Sequence, residues 1–98
     1  MYEFLVTYEC GTKENRDAFH AALVAEKLGE TCEAEDGCLR YEYFFPAKAE
    51  DKLFLLEMWE SREAQKVHTT QPHFARIGEI KKAFGATASI RILKAEEI

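Results

Sequence analysis

His68, His73 and Trp59 are the side chains of this 98-residue chain whose types and placement best suit a reaction centre. A neutral imidazole near pH 7 can take a proton from a phenol or an enol, or hydrogen-bond a bound carbonyl. His68 shares a helical face with Ala64 and Val67, which directs its ring towards a sheet; a hydrogen-bonded structural role is the competing reading. His73 follows Pro72 at the start of a helical piece, where a cap or surface role competes with a pocket role. Trp59 closes the most apolar strand, so its indole either packs in the core with its N–H satisfied or meets a substrate, and the two roles are compatible. Tyr41 and Tyr43 could stack on a flat aromatic ligand, but their alternation with Arg40 and Glu42 equally describes a sheet face at a subunit contact.

Metal and disulfide chemistry are not expected. His68 and His73 are five apart with a proline between them, not the four-residue spacing that puts two ligands on one helical turn, and the sequence shows no acidic residue completing the set. Cys10, Cys32 and Cys38 are odd in number and lack Cys-x-x-Cys spacing, which reads as free thiols. His20 and the pair Lys81-Lys82 read as solvated helix surface.

The elements that must position these groups follow from hydrophobic period. Tyr2 to Glu9 alternates, with Tyr2, Phe4, Val6 and Tyr8 on one face and Leu5 and Thr7 on the other, as in a strand. From about Lys13 to Glu33 the spacing of Phe19, Ala22, Leu23, Leu28 and Cys32 predicts an amphipathic helix, weakened near its end by Gly29. Glu35-Asp36-Gly37 is a turn, and Cys38 to Phe45 a strand with Leu39, Tyr41, Tyr43 and Phe45 on one face, closed by Pro46. Lys52 to Glu60 is apolar on both faces, as for a strand without a solvent side. Ser61 can cap a helix bearing Ala64, Val67 and His68. Pro72 opens another with Phe74, Ile77, Ile80, Lys81 and Phe84 at helical spacing, and Gly85 ends it. Thr87 to Leu93 supplies the last strand. The order βαββαβ, with the second α split, is the ferredoxin-like α+β pattern: four antiparallel strands with helices on one face.

Helices on one face leave the other bare, yet apolar residues occupy both faces of the inner strands, so a homodimer packing sheet on sheet is expected. The chain carries 47% hydrophobic residues and a net charge of −5 with scattered basic groups. That composition argues for a folded core and against nucleic acid as a partner. No linker or repeat divides it, so one domain over 1–98 is expected. Nothing approaches a membrane span and the N-terminus does not read as a signal peptide, which makes the cytoplasm the expected location.

The segment Glu35-Asp36-Gly37-Cys38-Leu39-Arg40-Tyr41-Glu42-Tyr43, then Phe54 to Ser61, then Ala64, His68 and Pro72-His73-Phe74, resembles the antibiotic biosynthesis monooxygenase family. The resemblance implies a dimeric α+β barrel whose subunits each hold a pocket between sheet and helices. It carries over a role near the substrate for Trp59, whose partners here would be His68 and His73; Tyr41, Tyr43 and Phe74 are the candidate substrate-binding residues beside them. It also implies cofactor-free oxidation of a quinol- or anthrone-like aromatic by dioxygen, with His68 as the candidate base. The haem-degrading branch is disfavoured: the first strand has no asparagine, and the later histidine position falls near Gly78. Two other functions use the same pocket: an isomerase or tautomerase of a small oxygenated metabolite, and a non-catalytic dimer that binds a small apolar ligand.

Overall fold

A computed structural model describes residues 1–94; the expected domain over 1–98 extends into residues 95–98, which lie outside that description. The strands are β1 (Tyr2–Glu9), β2 (Cys38–Phe44), β3 (Lys52–Trp59) and β4 (Thr87–Leu93). The helices are α1 (Lys13–Ala25), α2 (Leu28–Glu33), α3 (Arg62–His68) and α4 (Pro72–Ala83). The sheet order is β2-β3-β1-β4, and every neighbouring pair is antiparallel. This is the expected ferredoxin-like α+β fold. The molecule is a slab of 35 × 34 × 18 Å, thick enough for one sheet and one layer of helices.

Strand parity decides what the helices cover. Phe4, Val6 and Tyr8 of β1 and Leu53, Leu55, Glu57 and Trp59 of β3 face the helices and are buried. Phe19, Leu23, Leu28, Cys32, Ile77 and Ile80 close the core from above. The opposite face presents Leu5 beside Leu56 and Phe44 beside Phe54, without a helix over them. On the helix side, Ile90 and Ile92 of the edge strand β4 remain exposed, because the helices lie over the other three strands.

Three local expectations change. The helix expected over Lys13 to Glu33 breaks before Gly29: α1 ends at Ala25, and Lys27 adopts a left-handed backbone conformation with φ 54° that starts α2 in a new direction. Leu39 does not share a face with Tyr41, since an irregularity between Cys38 and Arg40 turns it out to 51% exposure. Val67 is also exposed, at 58%, so of the three residues expected on the inner face of α3 only Ala64 and His68 pack inwards.

The chain ends of the helices follow their residue types. Thr12 caps α1 by accepting from the Asn15 N–H, Ser61 caps α3 by accepting from the Ala64 N–H at 3.2 Å, and Pro72 opens α4. Gly37, in the turn before β2, has φ 81°, and a Cβ built there would lie 2.7 Å from the Ala64 Cβ. Its carbonyl accepts from the Glu60 N–H at 2.8 Å. Glycine is therefore what lets the turn carrying Glu35 sit against the start of α3.

Candidate active site

A cavity of about 310 Å³ opens between β1, α3, α4 and β4, close to the lower end of ordinary ligand sites. Its walls are mainly apolar: Phe4, Val6 and Tyr8 from β1, Phe74 and Ile77 from α4, and Ala88 and Ile90 from β4. Glu57, Gln65, His68, Thr69 and Lys81 supply its polar groups. The exposed Ile90 places the mouth along the sheet edge.

His68 is 2% exposed and enters the cavity from the last position of α3. Its Nδ1 lies 2.5 Å from Glu35 Oε2, and His73 Nε2 lies 2.8 Å from the same oxygen. One carboxylate oxygen from the α2–β2 turn thus holds two imidazoles, one from the end of α3 and one from the first turn of α4. An ionised carboxylate can only accept, so each ring nitrogen facing it carries a hydrogen. In a neutral imidazole that places the hydrogen of His68 on Nδ1 and leaves Nε2 as the lone-pair nitrogen. The ring packs on Trp59 at 4.8 Å and edge-on to Phe74 at 5.2 Å, which restrains its rotation.

Glu57 is a second proton-handling group on the same cavity. Glu57 is 5% exposed, and burial pushes its pKa up to about 7, opposed by the Trp59 N–H. Trp59 Nε1 donates to Glu57 Oε1 at 3.1 Å. Burial also raises Tyr8 well above the usual phenol range, so its hydroxyl stays protonated in the cavity wall.

The residues singled out by sequence fall into three places. His68 and Phe74 line the cavity. Trp59, Tyr41 and His73 lie behind it: Trp59 is fully buried beneath His68, Tyr41 is edge-on to His68 at 5.9 Å, and His73 binds the back of Glu35. Tyr41 lies under the helices rather than on the bare sheet face where a subunit contact would put it. Tyr43 stands apart, beside Leu23 and Gly29, with a buried hydroxyl that has no hydrogen-bond partner among the described residues.

Three groups escape the sequence reading. Glu57 has the same parity as Leu53, Leu55 and Trp59, which is enough to put a carboxylate among inward side chains. Lys81 sits at the helical spacing of Phe74 and Ile77, yet its pairing with Lys82 suggests solvent; it is half-buried and lines the cavity. Glu35 carries no signal beyond a turn. It is the acidic partner of His68 and His73 that their spacing alone does not reveal.

The sequence profile of the antibiotic biosynthesis monooxygenase family matches residues 1–79, which include every strand and helix of the site except the end of α4 and β4. The chain belongs to this family. A Bacillus subtilis (strain 168) relative, the uncharacterised protein YjcS, is 38% identical over 48 residues, a stretch covering 49% of this chain and 46% of YjcS. Among solved structures, a candidate antibiotic biosynthesis monooxygenase from Nitrosomonas europaea superposes with a TM-score of 0.82 at 19% identity, over 97% of this chain and 98% of that one. SnoaB from Streptomyces nogalater, a cofactor-independent oxygenase solved as a point mutant, superposes at 0.76 with 13% identity, over 99% and 94%. At such identities the structural matches establish the fold this antibiotic biosynthesis monooxygenase domain shares with them. Among the described residues no helix is long and apolar enough to cross a membrane.

Proposed function

We propose that this chain is a cofactor-independent oxygenase of a small, electron-rich aromatic of the quinol or anthrone kind, working as a homodimer. The observation that carries the reading is His68: its Nδ1 is held by Glu35, and its ring stands in the wall of an aromatic-lined cavity. Family membership and the oxygenase activity named for SnoaB support it.

In this reading His68 Nε2 takes the proton of the bound phenol or enol, leaving an electron-rich anion. Lys81 at the cavity wall favours that anion, while Phe74, Phe4 and Val6 exclude water and stack on the ring. The anion passes an electron to dioxygen, and the radical pair joins to a carbon–oxygen bond. Loss of water from the resulting hydroperoxide leaves one oxygen atom in the product as a carbonyl. The substrate carbon is oxidised, dioxygen is reduced, and the proton first taken by His68 leaves with the water.

Dimerisation covers the bare sheet face, where Leu5, Phe44, Phe54 and Leu56 would otherwise remain wet. Oxygen uptake by the metal-stripped protein with a panel of hydroquinones and anthrones, measured against autoxidation blanks, tests the reading. Uptake above blank that falls in His68→Ala supports it, and uptake equal to blank throughout the panel refutes it.

A further inference from the structure

Behind the cavity, four side chains of three chemical kinds converge. Cys32 comes from α2, Glu35 from the following turn, His68 from the end of α3 and His73 from the first turn of α4; one donor atom of each lies within 4.8 Å of the corresponding atoms of the others. We propose that this cluster is a binding site for a zinc-like divalent transition metal, held by Cys32 Sγ, Glu35 Oε2, His68 Nδ1 and His73 Nε2.

The donor set fits that ion class. One thiolate, one carboxylate and two imidazoles suit four-coordinate zinc, whose bonds of about 2.0–2.3 Å set ligand atoms roughly 3.3–3.8 Å apart; filling the site would therefore open the two Glu35–histidine contacts slightly and draw the more distant donor atoms, now within 4.8 Å, together. All-oxygen calcium or magnesium sites look different. Charge agrees as well: a thiolate, a carboxylate and two neutral imidazoles balance a dication, so the filled site is neutral in a buried location. Cys32 is fully buried and His68 nearly so.

The present hydrogen bonds show how the site converts. The two imidazole N–H groups now meet one Glu35 oxygen, and a metal would take the place of those hydrogens. Each ring keeps its hydrogen by moving it to the other nitrogen, and the Cys32 thiol releases the single proton displaced. The metal would then leave His68 with an N–H at Nε2. A proton acceptor towards the cavity becomes a donor, so metal occupancy would oppose the oxygenase step; this consequence rests on the function proposed above, whereas binding itself does not.

The test uses the full chain, stripped with a chelator and checked for native circular dichroism, titrated with Zn²⁺ against a chromophoric competitor and separately with Co²⁺. One Zn²⁺ per chain is expected, together with a Co²⁺ form showing strong four-coordinate visible bands and a thiolate-to-metal band in the near ultraviolet. Cys32→Ser should lose the near-ultraviolet band and bind Zn²⁺ roughly tenfold or more weakly, while Cys38→Ser keeps both properties of the wild type. Substoichiometric Zn²⁺, a Co²⁺ spectrum without the thiolate band, or loss of that band in Cys38→Ser instead of Cys32→Ser would overturn the proposal. Should Cys32→Ser not fold, the wild-type Co²⁺ spectrum and the Cys38→Ser control decide it. None of these readings requires a substrate, so they stand or fall separately from oxygenase activity.

Discussion

His68 Nδ1 and Glu35 Oε2 are 2.5 Å apart although 33 residues separate them in sequence, and this contact joins the turn before β2 to the end of α3. It makes Glu35 a positioning residue: it touches the ring that faces the cavity rather than the cavity itself. Glu35→Ala should therefore lower kcat by about ten- to a hundredfold, equivalent to about 1.4–2.7 kcal/mol, with KM nearly unchanged. Steady-state kinetics on the best substrate of the panel provide the check. A rise in KM without a fall in kcat would instead mean that Glu35 meets substrate directly.

Glu57 gives the protein a measurable pH dependence. Its folded pKa of about 7 lies above the ordinary 4.5, so the folded state binds this proton more tightly than the unfolded state. The associated stability is fully present below about pH 4.5 and is lost as pH rises through 7, a change on the order of 3 kcal/mol. Urea unfolding across pH 5 to 8 should show this downward slope in the wild type and a shallower one in Glu57→Gln. Trp59, the single tryptophan, donates to Glu57, so its fluorescence should titrate near pH 7 and cease to do so in Glu57→Gln.

How much of this is legible in the sequence depends on range. Strand parity and helical spacing are local, and they yield β1, β3, α4, the cap at Ser61 and the opening of α4 at Pro72 nearly residue by residue. The α1–α2 break is not legible because Lys27 in a left-handed conformation has no sequence mark of the kind glycine provides. Alternation misplaces Leu39 because a strand irregularity shifts parity without changing residue types. The Glu35–His68–His73 contact is long-range, made by elements that meet only once the sheet is assembled, so spacing within either segment cannot show it. Glu57 is readable by parity but hidden by its apolar neighbours.

The bare sheet face predicts a dimer that one charge can split. Leu56→Glu puts a carboxylate in the middle of that face, next to Leu5, without disturbing the core behind it. Sedimentation velocity should show the wild type as a dimer and the variant as a folded monomer. A wild type that sediments as a monomer at about tens of micromolar would mean that the sheets do not pair.

Gly37 should tolerate no side chain. Alanine there combines an unfavourable φ of 81° with a 2.7 Å approach to the Ala64 Cβ, so Gly37→Ala should cost about 2 kcal/mol or more. Thermal unfolding measures the loss. Because the same turn carries Glu35, turnover should fall as well at temperatures where the variant is still folded. A variant as stable as the wild type would show that the turn does not pack against α3 as described.

Isotope labelling can follow whether this cavity adds dioxygen to a bound aromatic with His68 as the proton acceptor. The metal-stripped protein would be given an anthrone under ¹⁸O₂, with His68→Ala and a protein-free blank alongside, and the product analysed by mass spectrometry. One ¹⁸O atom per product molecule is expected, formed well above the blank by the wild type and at no more than a tenth of that rate by His68→Ala. Product formed without label from ¹⁸O₂, or at equal rates with and without the His68 imidazole, would mean that the cavity does not add dioxygen by way of His68.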